Sequence, residues 1–284
     1  MRIIDLLQDV KYQNKKVLEK LISYYINISR EKIFAHSERE LDWKDLESIQ
    51  KSYDEYFYQK KPLEYIFGYV EFFGIKFTVN KDTLIPRPET EYMILSVNDF
   101  LGKQDKKHIL IDIWTWCWVL WLSVASFNKD KISQIYLTEY FPEALEVAKT
   151  NKQRLLPETK IDLLEMDLFD FGNLAKNLNN KDIVLVANLP YIPDKMFEDN
   201  VEDNVKKREP KLAFVWWEDW LDLYRKMFDQ ILNFNKTWKS KFTMFLEMLD
   251  GQADKLIKEY EDRINFEKVA TFHFNIKILK ATLI

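Results

Sequence analysis

Glycine is scarce in this chain. Its 284 residues include 5 glycines, where ordinary usage near ~7% would give roughly 20. Cysteine is nearly absent as well. The single Cys117 excludes an internal disulfide framework and fits a reducing compartment. Three scattered histidines, His36, His108 and His273, add no metal-ligand cluster to that one thiol. No apolar run is long enough to span a bilayer. The N-terminal MRIIDLLQDVKYQNKK carries an early acid and no cleavable signal pattern, so a cytoplasmic protein is expected. A net charge of -4 gives no bulk attraction to nucleic acid, and Lys206–Arg208 reads as a solvated face.

Tryptophan is what stands in place of the missing glycine. Seven of the 9 tryptophans fall where a nucleotide-type loop would need glycine. In HILIDIWTWCWVLWLSVA (His108–Ala125) an apolar strand ends at Asp112, indoles alternate at Trp114, Trp116 and Trp118, and an apolar helical pattern follows. With glycine at those positions the loop reads D-I-G-T-G-C-G, a strand–loop–helix unit that cradles a cofactor on its backbone and helix N-terminus. The same exchange turns FVWWEDWLDLYR (Phe214–Arg225) into an ordinary loop. UGA codons that mean glycine in the source, written as tryptophan, would produce this pattern. Trp43 and Trp238 read as ordinary surface or core aromatics. With genuine indoles the cofactor cavity would be filled.

The rest of the chain falls into three parts. Residues 1–68 are helical in pattern, with apolar positions three and four apart (Ile3, Leu6, Leu7; Val17, Leu18, Leu21, Ile22) among Lys, Glu and Gln. Residues 69–90 hold a hairpin around Gly74 and the stiff, proline-bearing LIPRPET, read as the join between domains. Residues 91–284 alternate apolar strands (HILIDI, QIYLT, IDLLEM, DIVLVAN) with helical stretches such as PEALEVAKTNKQ. That rhythm predicts a Rossmann-like α/β domain, a mostly parallel sheet with helices on both faces. KFTMFLE and FEKVATFHF are candidates to complete the sheet, while the last thirty residues carry no motif.

Ligands of such sheets sit beyond the carboxyl ends of the strands, and Asp112, Glu139, Asp167 and Asn188 close four of them in turn. The loop of Trp114, Thr115, Trp116, Cys117 and Trp118 is the expected cradle. Glu139 suits two adjacent ribose hydroxyls, as a carboxylate accepts from both. Asp167 and Leu168 are placed to edge and pack an adenine. Asn188-Leu189-Pro190-Tyr191 joins an amide oxygen, a main-chain carbonyl held by a proline, and an aromatic ring. Such a group suits a planar NH₂: the Asn188 oxygen and Leu189 carbonyl each accept an N–H while Tyr191 packs on the flat face.

The order of these motifs resembles a class I S-adenosylmethionine-dependent methyltransferase with an [DNS]-P-P-[YF] amino-methylating motif. More narrowly, the chain resembles the bacterial peptide chain release factor N5-glutamine methyltransferases (the HemK/PrmC family). PLEYIFGYVEFFGIKFTVNKDTLIPRPETE (Pro62–Glu91) is similar to that family's linker, and EPKLAFVWWEDWLDLYR (Glu209–Arg225) to its segment after the catalytic motif. The resemblance implies S-adenosylmethionine as cofactor, release factors as protein substrate, and methylation of the glutamine amide in their GGQ loop. It assigns residues 1–68 to substrate recognition, Asn188–Tyr191 to catalysis, and Asp112, the 114–118 loop, Glu139, Asp167, Leu168 and Asn188 to the cofactor. Neither a nucleic acid nor a membrane is implied as partner.

Departures from the family are local. Leucine replaces a usual proline at 189, glutamate a usual aspartate at 139, and tryptophan replaces glycine at 114, 116, 118, 216, 217 and 220. Trp121 replaces another small residue, and FNIKILKATLI matches poorly. Rival readings are a ribosomal-protein glutamine methyltransferase, a nucleic-acid adenine methyltransferase, and a non-catalytic release-factor-binding protein if the indoles are genuine.

Overall fold

Short amphipathic helices form the first part of the chain. They are α1 (Ile3–Gln8), α2 (Lys15–Tyr25), α3 (Arg30–Ala35), α4 (Trp43–Phe57) and α5 (Leu63–Phe67). Two begin at side-chain caps: Asn14 accepts from Val17 N at 3.1 Å and Asp42 from Asp45 N at 2.8 Å. Leu18, Leu21 and Ile22 of α2 and Ile49 and Tyr53 of α4 share one buried core with Ile3 and Leu6. The computed structural model describes residues 1–114, 116, 119–201, 203–215, 221–269, 271 and 275–284. It divides into two units, Met1–Gly68 with Glu202–Arg208, and Tyr69–Val201 with Glu209–Ile284.

The second unit opens with the hairpin β1 (Tyr69–Phe72) and β2 (Ile75–Thr78). Phe73 and Gly74, at φ 51° and 74°, make the tight turn between them. Positive φ at both central residues is the primed turn that matches strand twist, with glycine at the second. The hairpin and LIPRPET are fastened to this unit rather than running free. Asn151, in α8 (Pro142–Leu155), accepts from Thr78 N at 2.8 Å and donates to Thr78 O at 3.0 Å. Buried Glu209 accepts from Ile85 N at 3.1 Å and from the Arg87 guanidinium at 2.8 Å.

Seven strands form the main sheet: β3 (His108–Ile113), β4 (Ile132–Glu139), β5 (Ile161–Glu165), β6 (Asp182–Ala187), β7 (Lys241–Leu249), β8 (Ile264–Val269) and β9 (Ile276–Leu283). Their order is β5-β4-β3-β6-β7-β9-β8. The pairs among β3 to β7 are parallel, and β9 runs antiparallel between β7 and β8. Helices α6 (Glu91–Gly102), α7 (Val119–Phe127), α8, α11 (Asp222–Trp238) and α12 (Asp250–Tyr260) alternate with the strands, and the short α9 (Asp194–Asn200) and α10 (Asp203–Arg208) follow β6. From β3 the chain steps through β4 to β5 at one edge, then returns to β6 on the other side of β3. The order reverses there, and in sheets of this kind the carboxyl ends of the two strands at that point, here β3 and β6, mark the ligand-binding crevice.

The expected parallel rhythm is present, with one addition at the C-terminus. IKILKATL, which carries no motif, is the antiparallel strand β9. FEKVATFHF corresponds to β8, which starts two residues earlier at Ile264; Ala270 and Phe272–Phe274 lie outside the described residues.

Candidate active site

β3 is buried along its whole length. Asp112 sits in register between Leu137 of β4 and Val186 of β6 and has no exposed surface. Beyond the strand, Trp114 N donates to Thr138 O at 2.9 Å. The chain then turns through the left-handed region, with φ 49° at Trp114 and 44° at Trp116. For a bulky side chain that conformation costs about 1–3 kcal/mol at each position, and glycine adopts it freely. Both indoles are buried, 1% and 2% exposed. Trp114 lies against Tyr140 with ring centroids 5.3 Å apart, and Trp116 against Phe141 at 4.6 Å. Among the described residues, the Nε1–H groups of Trp116 and of fully buried Trp121 have no hydrogen-bond acceptor. Each unpaired buried N–H costs about 1–3 kcal/mol. Thr115, Cys117 and Trp118, and likewise Trp216, Trp217 and Trp220, lie outside the described residues.

Glu139 closes β4 and directly precedes Tyr140 and Phe141, on which these rings lie. Its Oε1 accepts from Tyr140 N at 2.8 Å and Phe141 N at 3.1 Å, and its Oε2 from Trp116 N at 3.1 Å. No part of Glu139 is exposed. Burial raises its carboxyl to a pKa of about 7 against the pull of those three N–H donors. Past β5, Leu168 is fully buried at φ 54°. The Asp167 carboxylate is engaged by Lys226 of α11.

At the end of β6 the tetrapeptide Asn188–Tyr191 is braced from below by Glu247, a residue of β7 that sequence reasoning passed over. Tyr191 Oη donates to Glu247 Oε1 at 2.9 Å. Asn188 Nδ2 points to Thr90 Oγ1 at 3.4 Å, and both side chains lie beside the Glu247 carboxylate. Asn188 therefore directs its NH₂ at the protein, which turns its oxygen the opposite way. Glu247 is 1% exposed, and burial raises its pKa to about 7 against the donors around it. Tyr224 of α11 completes the brace, donating its hydroxyl to the Glu247 carbonyl and accepting the Leu189 N–H. Gln252 Nε2 donates to Tyr191 O at 2.7 Å. Burial, with Glu247 next, pushes the Tyr191 hydroxyl well above its usual range, so it stays a donor.

Of the expected site residues, then, the sheet gathers Asp112, Trp114, Trp116 and Glu139 at one side of the crevice and Asn188–Tyr191 at the other. Asp167 and Leu168 stand one strand further out. Glu247, Thr90 and Tyr224 were missed because no local pattern marks them; they lie 56, 98 and 23 residues from the groups they contact. The only sequence signal was a lone acid near the end of an apolar strand, KFTMFLE.

Sheet order, the reversed β9 and the polar residues at the strand ends define a class I methyltransferase. Solved structures show the same fold. The catalytic domain of human METTL16 bound to an RNA hairpin matches at a TM-score of 0.58 and 12% identity, over 93% of this chain and 90% of that one. The N-terminal domain of human METTL16 in complex with SAH matches at 0.52 and 15%, over 96% of each chain. No family profile matches the chain. Among curated relatives, the release factor glutamine methyltransferase of Bacillus cereus is 31% identical over 221 residues, covering 76% of this chain and 74% of the relative. That of Clostridium acetobutylicum is 31% identical over 210 residues, covering 73% and 70%. This chain belongs to the release factor glutamine methyltransferase family.

The residues as written do not fit the cofactor that this fold and family take. S-adenosylmethionine carries a nucleoside, yet Glu139, the acid expected at its ribose, has no exposed surface and is engaged by three backbone N–H groups, among them that of Trp116.

Proposed function

We propose that this protein is an S-adenosylmethionine-dependent methyltransferase acting on the side-chain amide nitrogen of the glutamine in the GGQ motif of peptide chain release factors. Family membership gives the reaction class. The observation that carries the reading to the site is the braced Asn188–Tyr191 segment at the end of β6. It presents an amide oxygen, a main-chain carbonyl and an aromatic ring together, the set that holds a planar NH₂ group.

An amide nitrogen is a poor nucleophile because its lone pair is delocalised into the carbonyl. The protein's task is to fix that group and to stabilise positive charge as it develops on nitrogen. Asn188 Oδ1 and the Leu189 carbonyl accept its two N–H bonds, and Tyr191 packs on its face. Asp112, Glu139, Asp167 and Leu168, with the 114–118 loop, form the cofactor side. The unit containing residues 1–68 recognises the release factor, and the reaction takes place in the cytoplasm.

The filled cleft favours a second reading of the chain as written: a protein that engages the release factor without modifying it. One assay separates the two. Release factor is incubated with S-adenosylmethionine and the protein, and the peptide carrying the GGQ glutamine is weighed. A gain of one methyl group on that glutamine is expected from a protein whose cleft is open. Methylation at any other residue would overturn the substrate assignment.

A further inference from the structure

The two indoles of the loop after β3, whose 116 N–H is bound by Glu139, are anomalous in several independent ways. Positive φ alone does not single them out, since Phe73 and Leu168 also adopt it, at 51° and 54°. Trp114 and Trp116 differ in placing two such residues within one turn, both with large rings driven inward. Their rings lie on Tyr140 and Phe141, the two residues that follow Glu139. A flat bicyclic ring against an aromatic side chain, next to a carboxylate suited to a ribose, copies the way a nucleoside is held. Yet the fit is poor in detail, because among the described residues the Trp116 indole N–H has no acceptor, nor has that of Trp121 on α7. The chain that holds these surplus indoles is also short of glycine, with 5 against 9 tryptophans.

We infer that the indoles of Trp114 and Trp116 close the cofactor site of the chain as written, and that the working protein carries glycine at both positions. Glycine accepts the left-handed backbone without strain, keeps the 116 N–H that Glu139 binds, and leaves the space above that carboxylate for a nucleoside. A UGA codon that the source decodes as glycine, read instead as tryptophan, gives this one exchange and no other. It also explains why the excess residue is always tryptophan. The inference rests on the methyltransferase reading of the crevice.

S-adenosylhomocysteine is titrated calorimetrically into the chain as written and into W114G/W116G, with circular dichroism confirming that each is folded. The expected result is binding by W114G/W116G at least about 100-fold tighter than by the chain as written. Equal affinity would overturn the closure while leaving the methyltransferase reading intact. If W114G/W116G does not fold or bind, the variant that adds W118G, W121G, W216G, W217G and W220G is titrated in its place. Binding by that variant supports the inference. A folded variant that ignores the ligand overturns the methyltransferase reading itself, and a variant that fails to fold overturns the inference. Independently, the tryptic peptide spanning residues 108–129 is weighed from protein made in its source. Glycine masses at 114 and 116 are expected, and tryptophan there would refute the inference.

Discussion

The loops after β3 and β6 leave adjacent strands of one sheet, yet they are finished to different standards. At Asn188–Tyr191 most polar groups are matched: Tyr191 donates to Glu247 Oε1, Asn188 to Thr90, Gln252 to the Tyr191 carbonyl, and Tyr224 bridges Leu189 and Glu247, while Glu247 Oε2 lacks a partner among the described residues. The loop after β3 combines left-handed tryptophans with an indole N–H that has no acceptor among the described residues, and it meets Glu139 at the end of β4, a carboxylate with no exposed surface. A half-site whose local choices agree is one the sequence was selected to build. One whose backbone asks for glycine and whose side chains refuse it points to a fault in the residues written there. The contrast separates what the fold requires from what the letters supply.

The largest expected effect removes the better-built half. In W114G/W116G, Asn188→Ala should lower the rate of glutamine methylation by about 100-fold or more, the scale seen when one preorganised polar group is lost from a reacting centre. S-adenosylhomocysteine affinity should stay within a few-fold of its parent. Matching turnover by the two proteins would remove Asn188 from the chemistry.

Glu139 gives the next test, in the opposite half. Its carboxyl is raised to about 7 in the folded chain, against an ordinary value of 4.5. Between those values the folded protein keeps a proton that the unfolded chain has released, so this group's contribution to stability falls as pH rises through that window. The full loss is at most about 3 kcal/mol. With glycine at 114 and 116 water reaches the carboxylate and the dependence should vanish. Urea unfolding of the chain as written and of W114G/W116G at pH 5 and pH 8 measures the difference. A stability gap that does not change with pH would show that the indoles are not what buries Glu139.

Glu247→Gln sharpens the comparison further. An ionised Glu247 accepts from the groups that orient Asn188, and its carboxyl is raised to about 7. Methylation by W114G/W116G should therefore climb with pH through that region. The glutamine variant should lose about 10-fold in kcat, keep its KM for the cofactor, and show no such inflection. A pH profile that survives the substitution would assign the inflection elsewhere. The smallest effect belongs to the support. Arg87→Met takes the guanidinium away from the buried Glu209 carboxylate, which the Ile85 N–H also engages, and should cost about 1–2 kcal/mol in urea unfolding, Arg87 being partly exposed.

Much of the fold was legible because its strands are buried on both faces and read as apolar runs between helical stretches. HILIDI and DIVLVAN are of this kind, and their final polar residues mark the crevice. β9 was not, because IKILKATL lies near the chain's end and lacks such a continuous run; its place is set by pairing with β7 and β8. Asn188–Tyr191 was legible as a local motif. Its brace was not, since Thr90, Tyr224 and Glu247 meet it only through the sheet. Asp167 was legible as a strand-end acid, but its ion pair with Lys226 depends on where α11 packs. The tryptophans were legible as an anomaly of composition and spacing, while the left-handed backbone beneath Trp114 and Trp116 emerged only with the fold.

The central claim is that these two half-sites make one active site once the indoles are gone. Release factor is incubated with S-adenosylmethionine and either the chain as written or W114G/W116G, and the GGQ peptide is weighed. The account predicts one added methyl group on the glutamine with W114G/W116G and none with the chain as written. Equal methylation by both, or an unmodified glutamine with a W114G/W116G protein that binds S-adenosylhomocysteine, would contradict it.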